Sequence, residues 1–115
     1  MSKRPETYVG KCWPEFHVVV RAGVVAGFIH WRDDFVHALH VPSRHARSGA
    51  GTVLMDLAEA EIARAGFPSI RLETDTFNTG SRAFYAARGF RETDRYPDLE
   101  WNSGLTTVLL EKALG

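Results

Sequence analysis

Asn78-Thr79-Gly80-Ser81-Arg82-Ala83-Phe84-Tyr85-Ala86-Ala87-Arg88-Gly89-Phe90 is the stretch from which the fold is read. An asparagine opens a short helix, because its side-chain oxygen can accept from a backbone N–H of the first turn. Phe84 and Tyr85 fall on the middle turn. Gly89 ends the helix, and Phe90 stands where a C-terminal cap makes its closing apolar contact. The run Ile70-Arg71-Leu72-Glu73-Thr74 leads into the asparagine and reads as a strand. Further upstream, Ala46-Arg47-Ser48-Gly49-Ala50-Gly51-Thr52 forms a second loop-to-helix junction, one suited to holding phosphate.

The other elements follow outward from these two. Residues 15–21 and 24–31 are β-branched and aromatic runs separated by Ala22-Gly23, which predicts a hairpin. Arg32-Asp33-Asp34 is a polar turn, and 35–41 is a third strand stopped by Pro42-Ser43. Residues 51–65 carry the stripe Leu54, Leu57, Ala58, Glu61 and Ile62, apolar except at Glu61, with Gly66 just past its end. That spacing predicts an amphipathic helix. Strands over 69–74, 90–96 and 105–112 complete the chain, with the 78–88 helix after the first of them. The predicted order is β-β-β-α-β-α-β-β. An antiparallel start followed by strand–helix–strand gives an α/β (α+β) fold, a mixed and mostly antiparallel sheet with two main helices.

Bulk properties narrow the function classes. At 115 residues one domain over 1–115 is expected, able to bury roughly two thirds of its unfolded surface. Lys plus Arg equals Asp plus Glu at 14 each, so no overall field favours nucleic acid or an anionic membrane. Cys12 is the sole cysteine, which excludes an intrachain disulfide and fits a reducing, cytoplasmic setting. No apolar run approaches the ~20 residues of a membrane span, and the N-terminus lacks the apolar stretch of a signal peptide. No pair among the five histidines has metal-ligand spacing with carboxylate or thiol support, so no metal is expected. Trp13, Trp31 and Trp101 read as core or interface residues.

Gly49-Ala50-Gly51 sits where a strand gives way to a helix. Small residues there let backbone N–H groups approach an anion, and the helix N-terminus adds about half a positive charge. Successive amides from Arg47 to Thr52 can form a concave nest, with the Ser48 and Thr52 hydroxyls contributing. A tight turn with close helix packing is the plain alternative. A P-loop is a poor match, because no Lys-Ser or Lys-Thr pair follows the glycines; a dinucleotide fingerprint lacks its third glycine.

Taken together, the two segments resemble the GNAT superfamily of acyl-CoA-dependent N-acyltransferases. Asn78, Ala83, Tyr85, Gly89 and Phe90 fall at the family's spacing, downstream of the glycine loop, and the resemblance runs from about Glu15 to the end. Two departures stand out. Ala46 occupies a position usually held by Gln or Arg, so Arg44 or Arg47 is expected to supply the charge, and Pro42 comes one residue early. The resemblance implies acetyl-CoA as co-substrate and direct attack of an amine on the thioester. It implies that Leu39, His40 and Val41 lie along the pantetheine, that the Val41 N–H meets the carbonyl oxygen, and that Asn78 hydrogen-bonds the same arm. Arg47, Ser48, Gly49, Ala50, Gly51 and Thr52 would hold the pyrophosphate.

Such chemistry needs a base, a carbonyl donor and an acid for the departing thiolate. A lysine amine is neutral in only about one molecule in 2,500 at pH 7, an α-amine in roughly one in six to ten. Tyr85 matches the family's general acid, since a phenol keeps its proton at neutral pH. Glu73 is the base candidate, twelve residues before Tyr85, at a spacing shared with ribosomal-protein N-terminal acetyltransferases. A solvated carboxylate on an exposed strand face is the competing account. Strand alternation puts His37 and His40 on opposite faces, with His40 a second base candidate on the acceptor side.

The family usually begins with a strand and two helices, which wall the acceptor groove. Only about fourteen residues precede the hairpin here, too few for all three. A homodimer is therefore expected, with residues 1–14 or the 96–105 loop closing the neighbour's groove. A non-catalytic acyl-CoA-binding module is the main rival. A nucleotide-binding protein of another fold is the second, and predicts binding of ATP or NAD in place of CoA.

Overall fold

Three two-residue connections organise the first half of the chain. Strands β1 (Thr7–Trp13), β2 (Phe16–Arg21), β3 (Val24–Arg32) and β4 (Phe35–His40) form an antiparallel meander. The computed structural model describes residues 7–13, 16–42, 49–97 and 106–114. The β2–β3 turn places Ala22 and Gly23 at φ 50 and 78°. Two left-handed residues give the primed turn whose twist matches that of the flanking strands. Helix α1 (Ala50–Arg64) then crosses to β5 (Ser69–Asp75), followed by α2 (Thr79–Ala87), β6 (Arg91–Pro97) and β7 (Thr106–Ala113). The strands form one sheet in the order β1-β2-β3-β4-β5-β7-β6.

The mixed, mostly antiparallel sheet with two helices is the fold class expected, with one strand more than the sequence reading placed. β1 pairs with β2 from Thr7↔Arg21 to Trp13↔Phe16. Gly10 and Lys11 lower the strand propensity of this run, and pairing with β2 supplies what propensity lacks. Only residues 14 and 15 separate the two strands, so the two helices of the resemblance have no room between them. Of the segments 1–14 and 96–105 expected to close a neighbour's groove, residues 1–6, 14 and 98–105 lie outside the described residues, 7–13 form β1 and 96–97 end β6.

Both helices pack on one face. Leu54, Met55, Ala58 and Ile62 of α1 meet Val19, Ile29, Ile70, Leu72, Val108 and Leu110 of the sheet, with Tyr85 and Phe90 closing the cluster. Each large side chain buried there is worth about 1.5–3 kcal/mol. Met55, not Leu57, takes the fully buried position, and Glu61 pairs with Arg64 at the partly exposed border. Gly27 allows the closest approach of β3 to its neighbours: a Cβ there would stand 2.9 Å from the His40 carbonyl oxygen and 3.3 Å from Leu54 Cδ1.

The opposite face carries no helix among the described residues. Its surface is a row of rings. Phe16 stacks on His30 at 4.3 Å, His30 on His37 at 5.4 Å, and Phe28 lies 5.7 Å from His40. His37 and His40 thus share a face, contrary to strict alternation. The β3–β4 register passes from His30↔Ala38 to Trp31↔Val36, leaving His37 as the extra residue of a bulge.

β4 and β5 are parallel and pair only at Phe35↔Arg71 and Val36↔Leu72. At that closed end Arg71 Nε and Nη2 donate to the two oxygens of Asp34 at 3.0 and 3.1 Å, and the Arg71 N–H donates to the Asp34 carbonyl at 2.8 Å. Hydrogen bonding to Arg71 holds the Asp34 carboxyl below the usual carboxylate range. A depressed folded-state pKa gives stability that is present above the unfolded value, near 3.9, and is lost as pH falls through the folded value. Both side chains are partly solvated, so the contribution is bounded at about 1 kcal/mol. Asp34→Asn should lower the unfolding free energy from urea titration at pH 7 by at most about 1 kcal/mol, with the gap to wild type closing on acidification. A gap independent of pH would assign the effect to packing.

Candidate active site

Beyond Val36 the two parallel strands separate, and the side chains along the gap line two cavities. One, of about 440 Å³, is bordered by Leu39, His40, Val41, Gly49, Gly51, Thr52, Asn78, Gly80, Ser81, Phe84 and Tyr85. The other, about 270 Å³, is bordered by Val36, His37, Ala38, Leu39, Leu72, Glu73, Thr74, Asn78, Ser81 and Tyr85. Leu39, Asn78, Ser81 and Tyr85 border both.

Helix α2 sets the shared wall. Asn78 is its N-cap, with Oδ1 accepting from the Ser81 N–H at 3.2 Å, a contact worth about 1 kcal/mol. That bond leaves the Asn78 amide nitrogen to donate elsewhere. At the other end Gly89 takes φ 97°, and the Phe90 N–H reaches the Tyr85 carbonyl at 3.0 Å. This is a Schellman cap, completed by Phe90 packing on Tyr85 at 5.5 Å. Arg88 ties the helix to α1 through Glu59 at 2.6 Å and Asp56 at 2.7 Å. Arg82 binds Glu92 and the Thr76 carbonyl, fixing the first turn against β5 and β6.

Tyr85 is buried between Phe84 and Phe90, and burial pushes its phenol up to about 12. It therefore keeps its proton throughout the neutral range. Glu73 is exposed on β5 and accepts a hydrogen bond from the Tyr96 hydroxyl. His40 borders the larger cavity with the glycines; His37 is the imidazole that borders the cavity with Glu73. His40, the second base candidate, thus borders a different cavity from Glu73, and His37, the extra residue of the bulge, borders the same one. No group of three or more His, Cys, Asp or Glu arranged for a metal occurs among the described residues.

The larger cavity suits a phosphate-bearing arm. Gly49, at φ 84°, precedes α1 without a side-chain cap, so the first amides of the helix stay available. Ala50 is buried at the helix start, and a Cβ on Gly51 would come to 3.5 Å from Phe84. Arg47 and Ser48 lie outside the described residues. Arg21, from the end of β2, brings Nη2 to within 3.5 Å of where a Cβ on Gly49 would stand. Its buried Nε has no hydrogen-bond partner among the described residues. A cation thus sits beside the first glycine, although Ala46 offers none. Nothing local in the sequence marks Arg21 or Tyr96; the sheet brings Arg21 beside Gly49 and Tyr96 against Glu73.

Comparison with known proteins bears on the family and the fold. The profile of the Acetyltransferase (GNAT) family matches residues 2–90. Ard1 from Thermoplasma volcanium is 29% identical, with a TM-score of 0.78 over 88% of this chain and 72% of that one. A Bacillus anthracis protein described as a streptothricin acetyltransferase, solved with acetyl coenzyme A, has a TM-score of 0.80 at 18% identity, over 89% and 64%. The Escherichia coli ribosomal-protein-S18-alanine N-acetyltransferase has a TM-score of 0.71 at 17% identity, over 98% and 72%. These two likenesses show the fold alone. No curated protein sequence matches the chain. No helix among the described residues is long and apolar enough to cross a membrane. A family profile spanning most of the chain, on a sheet opened between β4 and β5, makes the protein a member of the Acetyltransferase (GNAT) family.

Proposed function

We propose that the chain is a single-domain, cytosolic N-acetyltransferase that moves the acetyl group of acetyl-CoA to a primary amine, on a small molecule, a protein N-terminus or a lysine. The observation that carries this reading is that Tyr85 borders both cavities, the one floored by Gly49 and Gly51 and the one holding Glu73. A donor placed there reaches the bond that must break while the acceptor approaches from the other side.

The α1 amides from Gly49 to Thr52, with Arg47, Ser48 and Arg21, hold the pyrophosphate. Leu39, His40 and Val41 lie on the β4 edge that β5 has left, where an amide-bearing arm can pair as an added strand. Asn78 donates to that arm, and the Val41 N–H faces the thioester oxygen. Glu73 takes the amine proton, directly or through one water, as nitrogen bonds to the carbonyl carbon and the C–S bond breaks. Tyr85 donates to the departing sulfur. Full transfer from a phenol near 12 to a thiolate whose acid lies near 8.5 costs roughly 5 kcal/mol. Tyr85 therefore acts as a hydrogen-bond donor, and solvent completes the protonation.

CoA should raise the melting temperature, with a gain of about 2.7 kcal/mol at a hundredfold excess over Kd. Gly49→Val puts a β-branched residue at a left-handed φ and in the anion path. Whatever its own stability, it should lose the CoA-dependent increment. A shift with ATP and none with CoA would overturn the reading.

Turnover is measured as CoA thiol release against an α-amino peptide, a lysyl peptide and a small alkylamine. Tyr85→Phe should leave CoA affinity nearly unchanged and lower the rate about 10²–10³-fold. Tight CoA binding with no transfer to any of the three would identify a binding module instead.

The helix-free face supports a homodimer, since Phe16, Phe28, His30 and Phe35 are only half-covered there. Sedimentation at micromolar concentration should give twice the chain mass. A monomer that still turns over would show that the open face suffices.

A further inference from the structure

Every residue of β6 is exposed, yet one of its side chains turns back toward the site. Tyr96 pairs with Thr107 of β7, and Glu73 with Leu109 of the same strand, two residues away on the same face. The Tyr96 ring thus runs diagonally across β7, and its hydroxyl donates to Glu73 Oε2. Among the described residues no other hydrogen bond reaches this carboxylate. Glu73 borders the smaller cavity with His37, Thr74 and Tyr85, whereas Tyr96 borders neither that cavity nor the larger one. It touches Glu73 from outside.

The last torsion of a glutamate is broad, so an exposed carboxylate held at neither oxygen rotates through many orientations. A reaction that needs one oxygen aimed at an amine loses rate in proportion to the misaligned fraction. We propose that Tyr96 is a positioning residue for acetyl transfer: by occupying Oε2 it fixes the carboxylate of Glu73 so that Oε1 faces the acceptor. This rests on the reading of Glu73 as the base. Tyr96 can hold that bond at any neutral pH, because partial desolvation of its hydroxyl, followed by the hydrogen bond and charge of Glu73, pushes its phenol up to about 12.

Tyr96→Phe keeps the ring and removes the donor. With the fastest of the three acceptors, kcat should fall about tenfold with KM for acetyl-CoA and the melting temperature unchanged. Glu73→Gln should cost more, and the double variant should be no slower than Glu73→Gln alone, since the hydroxyl then has no carboxylate to aim. A readout independent of turnover is the tyrosine titration followed by absorbance. Glu73→Gln should lower one phenol transition, the one that is missing in Tyr96→Phe. Multiplicative rate losses, or a Tyr96 transition that Glu73→Gln leaves in place, would overturn the proposal while the base assignment stood. A Glu73→Gln variant as fast as wild type would remove the base assignment itself, and the positioning role with it.

Discussion

Two paired residues per strand are all that join β4 to β5. The rest of the site depends on that shortness. A longer parallel ladder would close the gap in which both cavities lie. No ladder at all would leave β4 and β5 unregistered, and with them the glycine loop and the α2 wall. The bidentate Arg71–Asp34 contact lies at the closed end, where the Arg71 N–H also bonds the Asp34 carbonyl. Backbone and side chain therefore fix the same junction, and the strands diverge from a defined point.

Across the gap, order is imposed by charge as much as by apolar packing. Arg88 has a largely buried guanidinium between two acidic side chains of α1, so α2 cannot shift without stripping a charge of its partners. Arg82 does the same at the other end of the helix, more exposed and correspondingly weaker. Tyr85 rides on the turn between them. Its position is held by helix ends that are each satisfied, as the donor role proposed for it requires.

The parts of this arrangement that were legible in the sequence are those with local causes. Asn78 and Gly89 announce α2 because capping is a matter of four or five neighbouring residues, and the observed helix differs from the expected one only at the cap positions. Gly49 and Gly51 announce the α1 junction for the same reason. β1 was not legible, since Gly10 and Lys11 carry little strand signal and the pairing that makes it a strand comes from β2. The side of the sheet taken by His37 was misread, because a bulge depends on the register of two strands and leaves no mark in one. Arg21 and Tyr96 reach the site from distant parts of the sheet, Arg21 from β2 and Tyr96 across β7. No spacing rule connects them to Gly49 or to Glu73.

The three two-residue connections of the first four strands have a further consequence, one of chain entropy. Each pairing in β1-β2-β3-β4 joins near neighbours, so its loop-closure cost is small. β5 reaches β4 only after the whole of α1 has been laid down, and Tyr96 reaches Glu73 only once β6 and β7 are in place. The site straddles that seam, between a half of the sheet that can assemble from adjacent residues and a half that cannot. Both cavities take lining residues from each half, so each is complete only when the near-neighbour and the long-range contacts are both made.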